Sequence, residues 1–136
     1  MAVKDLKIVG QPVKLRDLDT HVTGETVFYE DVRVPRLLHL KMHRSSYSHA
    51  KLLSIDTSAA QASPGVVLVL THEDLPGKKV YNALVGAGVG PEDEPILAFD
   101  KVRWKGESVA AVIAETPEQA DAAAAKVKEG YEELPA

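Results

Sequence analysis

Apolar and polar residues alternate from Leu38 to His43, with Leu38, Leu40 and Met42 set against His39, Lys41 and His43. A period of two predicts a half-buried strand, its leucines inward and its histidines and lysine in water. Beyond Ser45–His49, residues 51–55 form a second predicted strand. Asp56 or Thr57 can cap a short helix running to Ala62, which Pro64 and Gly65 end. Gly65–Leu70 is apolar without interruption, which predicts a strand covered on both faces. Val109–Ala114 is a strand of small residues. Thr116 then offers an N-cap, Pro117 the first helical position and Gln119 the second half of a capping box. Ala120, Ala123, Ala124 and Val127 make a narrow apolar stripe, and Lys126 and Lys128 with Gly130 read as the end of a long helix.

The remaining stretches are less regular. Residues 1–20 are polar, broken by Gly10 and Pro12, and read as a surface arm with at most one short strand. Residues 22–29 have the β-branched and aromatic content of a strand and open the ordered body, before a turn at Asp31–Pro35. Thr71 and Asp74 are spaced like a capping box, but Pro76 and Gly77 leave room for one turn only. Residues 77–95 form a long glycine-rich loop closed by Pro91 and Pro95. Strands, a short helix, a strand, a loop, further strands and a helix predict an α+β fold. It has a mixed or antiparallel sheet, one long C-terminal helix and one or two short helices. A single domain over 21–136, with 1–20 as its arm, suits a chain of 136 residues.

Composition narrows the chemistry. The chain is 45% hydrophobic but only 5% aromatic, so thin layers of small side chains are expected rather than a wide ligand pocket. A net charge of −4, with both signs interspersed, gives no basic face for nucleic acid. The absence of cysteine excludes disulfides, thiolate metal sites and iron–sulfur ligation by these residues. There is no secretory apolar segment near Met1 and no run of the roughly 18 apolar residues that spans a bilayer, so a cytoplasmic protein away from membranes is expected.

No catalytic constellation emerges. His39 and His43 share a strand face, but four residues at ~3.3 Å each hold their backbones about 13 Å apart, too far to close on one tetrahedral ion. His21, His49 and His72 are isolated. Gly86–Gly90 precedes Pro91 and acidic residues rather than a helix, which a phosphate loop requires. Lys41 lies mid-strand, not at the hairpin tip that a biotin- or lipoate-bearing lysine needs. Glu92, Asp93 and Glu94 are adjacent, without the spacing of a cation loop. Glu132 and Glu133, as strand neighbours, point to opposite faces. Ser45, Ser46 and Ser48 lack the strand–turn–helix elbow of a hydrolase. No catalytic, cofactor-binding or metal residue is therefore assigned.

Short motifs in a fixed order carry a resemblance. They include Gly10–Pro12, Val22–Gly24, Leu38–Leu40, Arg44–Ser45, Ser48–Ala50, Ser54–Ala60, Pro64–Val67 and Asp74–Pro76. They continue with Asp93–Pro95, Leu97–Ala98, Lys101–Arg103, Gly106–Glu107, Val109–Val112, Ala114–Thr116 and Tyr131–Pro135. The series resembles the α/β hammerhead that opens the large subunit of the molybdenum hydroxylases, the xanthine dehydrogenase and aldehyde oxidase family. The chain departs from the pattern at Ser45–Ser48, at Lys105–Ser108 and at Gly130; Lys105 and Gly130 are poor strand residues, so weaker late strands are expected.

The resemblance implies a part of an oxidoreductase that acts on aldehydes, purines or aromatic heterocycles. Molybdopterin would be bound elsewhere in the same subunit, with iron–sulfur clusters and possibly FAD in partner subunits. The implied partners are the remainder of the large subunit and the iron–sulfur subunit. Met1 with no iron–sulfur segment before it points to a separate-subunit enzyme rather than a single-chain fusion. On this reading the 136-residue chain is a structural docking domain without turnover of its own, and in isolation its exposed apolar surface would drive homo-oligomers. The alternatives are a stand-alone binding or oligomerisation protein on the same fold, and a small-molecule module built on the 77–95 loop. Substrate and electron acceptor are not encoded in these motifs.

Overall fold

A computed structural model describes residues 8–77, 79–82 and 84–135. The chain divides after Pro35 into two units. In the first, helix α1 spans Leu18–Thr23 and ends at Gly24, which takes the left-handed conformation. Tyr29–Asp31 is a single 3-10 turn whose entry is fixed by the Phe28 N–H donating to Asp31 Oδ2 at 3.0 Å. Residues 22–29 therefore form no strand. Lys14 pairs with Asp19 at 2.6 Å and His21 with Asp17 at 3.0 Å, local contacts that favour the helical turn. No described side chain of this unit is buried, although it carries Ile8, Val9, Val13, Leu15, Val22, Val27 and Phe28.

The second unit holds the strands. β1 (His39–Arg44), β3 (Val66–Leu70) and β7 (Ser108–Ala114) form one antiparallel sheet in the order β1-β7-β3. β2 (Ala50–Asp56), β6 (Lys101–Val102) and β8 (Lys128–Glu133) form a second, in the order β6-β2-β8. β4 (Val80–Tyr81) pairs with β5 (Glu94–Pro95) across the predicted loop. Asn82 fastens that loop further, donating from Nδ2 to the Pro91 carbonyl at 2.8 Å. The fold class follows the sequence reading, but the strands divide into separate antiparallel sheets rather than one.

Two small helices complete the unit. α2 (Ser58–Gln61) is capped by Asp56, whose Oδ1 accepts from the Ser58 N–H at 3.0 Å; the Thr57 side chain makes no cap. α3 (Pro117–Ala124) has the expected capping box: Thr116 Oγ1 accepts from Gln119 N and Gln119 Oε1 from Thr116 N. The helix is eight residues long, shorter than the stripe predicts. It tightens into i→i+3 bonds, Lys126 N to Ala123 O and Val127 N to Ala124 O, and the chain leaves as β8. Pairing with β2 from Ala50↔Glu133 to Asp56↔Lys128 outweighs the local helix preference of this segment. Gly130 is thus a strand residue and not a helix stop. A Cβ there would lie 2.6 Å from Ser54 Oγ, so glycine lets β8 close on β2. Lys105 stands in a turn between β6 and β7, outside any strand.

The core is as thin as the composition implies. Ala60, Val69, Ala110, Val112, Ala123, Ala124 and Val127 pack between α2, α3 and the first sheet. Ala50, Leu52, Ala98, Val102 and Val109 pack beside the second sheet, and Ile55 touches both clusters.

Candidate functional site

The face of β1 turned toward α3 is the polar one. Lys41 reaches Asp121 of α3 at 2.5 Å, and His43 Nδ1 lies 2.8 Å from the Ala124 carbonyl oxygen. The alternation of β1 is real, but its sense is opposite to the expectation. Helix α3 has an alanine stripe too shallow to receive leucines, and its acids and terminal carbonyls attract the cations of β1 instead.

The leucines consequently face away from the helix. Register places Ile113 of β7 between Leu40 of β1 and Leu68 of β3, and Ala111 between Met42 and Leu70. Cross-strand partners share a sheet face, so these six side chains form one apolar surface opposite α3. Leu40 is 59% exposed and Leu68 46%. β3 is therefore an edge strand open on one face, not covered on both. A register shift between Val66 and Leu68 also leaves Val67 exposed. An apolar sheet face of this kind is chemically a docking surface; single leucines covered there would each gain on the order of 1 kcal/mol.

The polar side chains near the sheets are engaged in structure. His43 and Glu129, 86 positions apart, form a half-buried ion pair through Nε2 and Oε1. Hydrogen bonding from Glu129 raises the His43 pKa against the lowering effect of burial. Tyr131 donates to the same Oε1 at 3.2 Å, and burial pushes its phenol up to about 12. Sequence spacing gives no signal for this cluster, because the pairing of β8 with β2 creates it. Ser45 is buried, with its Oγ accepting from Tyr47 N at 3.0 Å. Glu107 is buried as well, accepting from the backbone N–H of Arg103 and from Arg103 Nη1 at 3.2 Å; the four-residue spacing of Arg103 and Glu107 is its only trace in the sequence.

The other candidates do not converge. His39 lies on the α3 side of β1, and His21 belongs to the first unit. His49 Nδ1 lies 2.7 Å from the Pro135 carbonyl oxygen. His72 faces the Phe99 ring, and among the described residues its buried Nδ1 meets no hydrogen-bond partner. Gly86 and Ala87 lie within a 3-10 turn (Val85–Ala87) that Gly88 ends in the left-handed conformation, and no helix opens after Gly90. Asp93 accepts from Asn82, Glu94 lies in β5, and Glu132 and Glu133 are exposed on β8. A cleft of about 440 Å³ lies between β2, α2 and the Thr71–Asp74 turn, and no described residue of 77–95 lines it. Among the described residues no three His, Cys, Asp or Glu side chains are placed to hold a metal ion. No described helix is long and apolar enough to cross a membrane.

Comparison with known proteins agrees with this geometry. Residues 23–135 match the family described as aldehyde oxidase and xanthine dehydrogenase, a/b hammerhead domain. The mouse xanthine dehydrogenase/oxidase is 40% identical over 130 residues, which are 95% of this chain and 9% of that protein. A probable xanthine dehydrogenase component of Bacillus subtilis (strain 168) is 38% identical over 93% of this chain and 16% of its own length. Among solved structures, the aldehyde oxidoreductase from Desulfovibrio gigas superposes with a TM-score of 0.79 at 38% identity, over 89% of this chain and 14% of that one. The chain thus spans a small fraction of each relative that it matches. It belongs to the aldehyde oxidase and xanthine dehydrogenase family, as an α/β hammerhead domain.

Proposed function

We propose that this hammerhead is a non-catalytic docking domain of a larger molybdenum-dependent hydroxylase of aldehydes, purines or aromatic heterocycles. The observation that carries the reading is the apolar row Leu40–Ile113–Leu68, left open on the side away from α3. The occupant of that row is the remainder of the same large subunit, since the relatives are six to eleven times longer than the matched segment (16% and 9% of their lengths). The unburied apolar side chains before Pro35 support the same reading, because a segment without its own core needs a surface to lie on. The molybdopterin and the reacting groups then belong to the rest of that subunit, and iron–sulfur clusters and any FAD to partner subunits, in a cytoplasmic enzyme.

Two measurements test this. The purified 136-residue chain, supplied with molybdopterin, an aldehyde and a dye acceptor, is expected to give no turnover above the protein-free rate; turnover would overturn the reading. An antibody against this segment is expected to detect a polypeptide several times larger than 14.7 kDa in cells of the source. A single band at the small size would favour a stand-alone binding protein instead.

A further inference from the structure

His43 joins three elements at one point. Its Nδ1 lies 2.8 Å from the carbonyl oxygen of Ala124, the last residue of α3, and its Nε2 meets Oε1 of Glu129 on β8. Both partners are acceptors: a carbonyl carries no hydrogen, and an ionised carboxylate carries none either. Neutral imidazole has one N–H and can satisfy one of them. Only the doubly protonated ring donates to both. The site favours that charge. Glu129 supplies a carboxylate, the α3 C-terminus supplies the negative end of a helix dipole, and both side chains are mostly shielded from water.

The surrounding groups leave this pair to itself. On β1, Lys41 is engaged by Asp121 of α3, and His39 lies beside Glu118 at the far end of the helix. β7 contributes Ala110 and Val112 to this face, neither of which titrates. On β8, Tyr131 donates to Glu129; Glu107, the other carboxylate acting on Tyr131, is bound by Arg103.

We infer that His43 is a proton-operated latch that ties β1 to both the end of α3 and β8, closed at both contacts while the ring carries both hydrogens and released at one of them when it loses one. Loss of the Nε2 proton sets a lone pair against the Glu129 carboxylate. Loss of the Nδ1 proton abandons the α3 terminus. Either way β1 separates from β8 or from the helix end, while the β1–β7 ladder is untouched. The raised pKa of His43 gives the direction: the latch is fully closed below the ordinary value of 6.5 and opens as pH rises through the higher folded value.

The test uses the 136-residue chain labelled with ¹⁵N-histidine, with His43→Gln identifying the His43 signals among the five histidines. Below pH 6.5 both His43 nitrogens are expected to report as protonated, with titration above 6.5. Across that titration the backbone amides of one partner, either Lys126–Val127 at the helix end or Glu129–Tyr131 on β8, should lose hydrogen-exchange protection at least tenfold relative to Ala110–Val112, and unchanged protection at both overturns the latch. Glu129→Gln should move the titration down and abolish the selective loss. A His43 that titrates at or below its ordinary value overturns the latch, and so does protection lost in parallel across both sheets.

Discussion

Gly65 and Gln119 fit together only because Gly65 has no side chain. A Cβ on Gly65 would come within 2.4 Å of three atoms of the Gln119 amide, which is the group that caps Thr116. The backbone at Gly65 is also left-handed, with φ +75°, and its carbonyl accepts from Glu115 N at 2.9 Å. The turn before β3 is thus seated against the start of α3. Gly65→Ala should cost about 2 kcal/mol, combining left-handed strain with a displaced cap. Denaturant unfolding checks it. Adding Gln119→Ala should recover the steric part but not the strain, so the two changes should be non-additive.

The buried Glu107 makes a second prediction. Arg103→Leu leaves that carboxylate without its cation and should destabilise the domain by about 3 kcal/mol. Replacing both residues with leucine should cost less than the single change, because no uncompensated charge remains. Equal losses in the single and double variants, measured by urea unfolding, would refute this account of the turn between β6 and β7.

Tyr131 should ionise late. Its phenol is held up to about 12 by burial, with Glu129 adding to the effect. A folded pKa above the unfolded value of 10.0 means that this group's contribution to stability is intact below pH 10 and is lost as pH rises through about 12. Ultraviolet titration of the phenolates, compared with Tyr131→Phe, should show the missing component at the alkaline end.

The open row predicts behaviour rather than stability. Leu40→Ser with Leu68→Ser removes half-exposed side chains, so the free energy of unfolding should change by less than about 1 kcal/mol. Self-association of the isolated chain in sedimentation should fall. A large stability loss would mean that the two leucines are internal to the fold.

Much of the fold is legible in sequence where the signal is local. The Thr116–Gln119 box, the β7 run and the period of two in β1 all sit within a few residues of one another. What sequence does not supply is which face of β1 turns inward. Hydrophobicity places leucines inside, yet that choice assumes a partner layer deep enough to hold them. The layer is the alanine side of α3, and Lys41 and His43 fit it through Asp121 and Ala124. The end of α3 misleads for a related reason: Lys126–Gly130 resemble a helix terminus locally, but β2 claims Lys128–Glu133 by pairing across the chain. The His43–Glu129 contact depends on that same pairing, so no spacing rule reveals it.

Alanine also sets the mechanical character of the domain. Ala110, Ala123 and Ala124 meet between α3 and β7 with no rotatable side chains of their own. Longer residues accommodate a shift by swinging to another rotamer; these cannot. A push delivered to α3 therefore arrives at β7 as displacement of backbone, and the centre of the hammerhead transmits force instead of absorbing it.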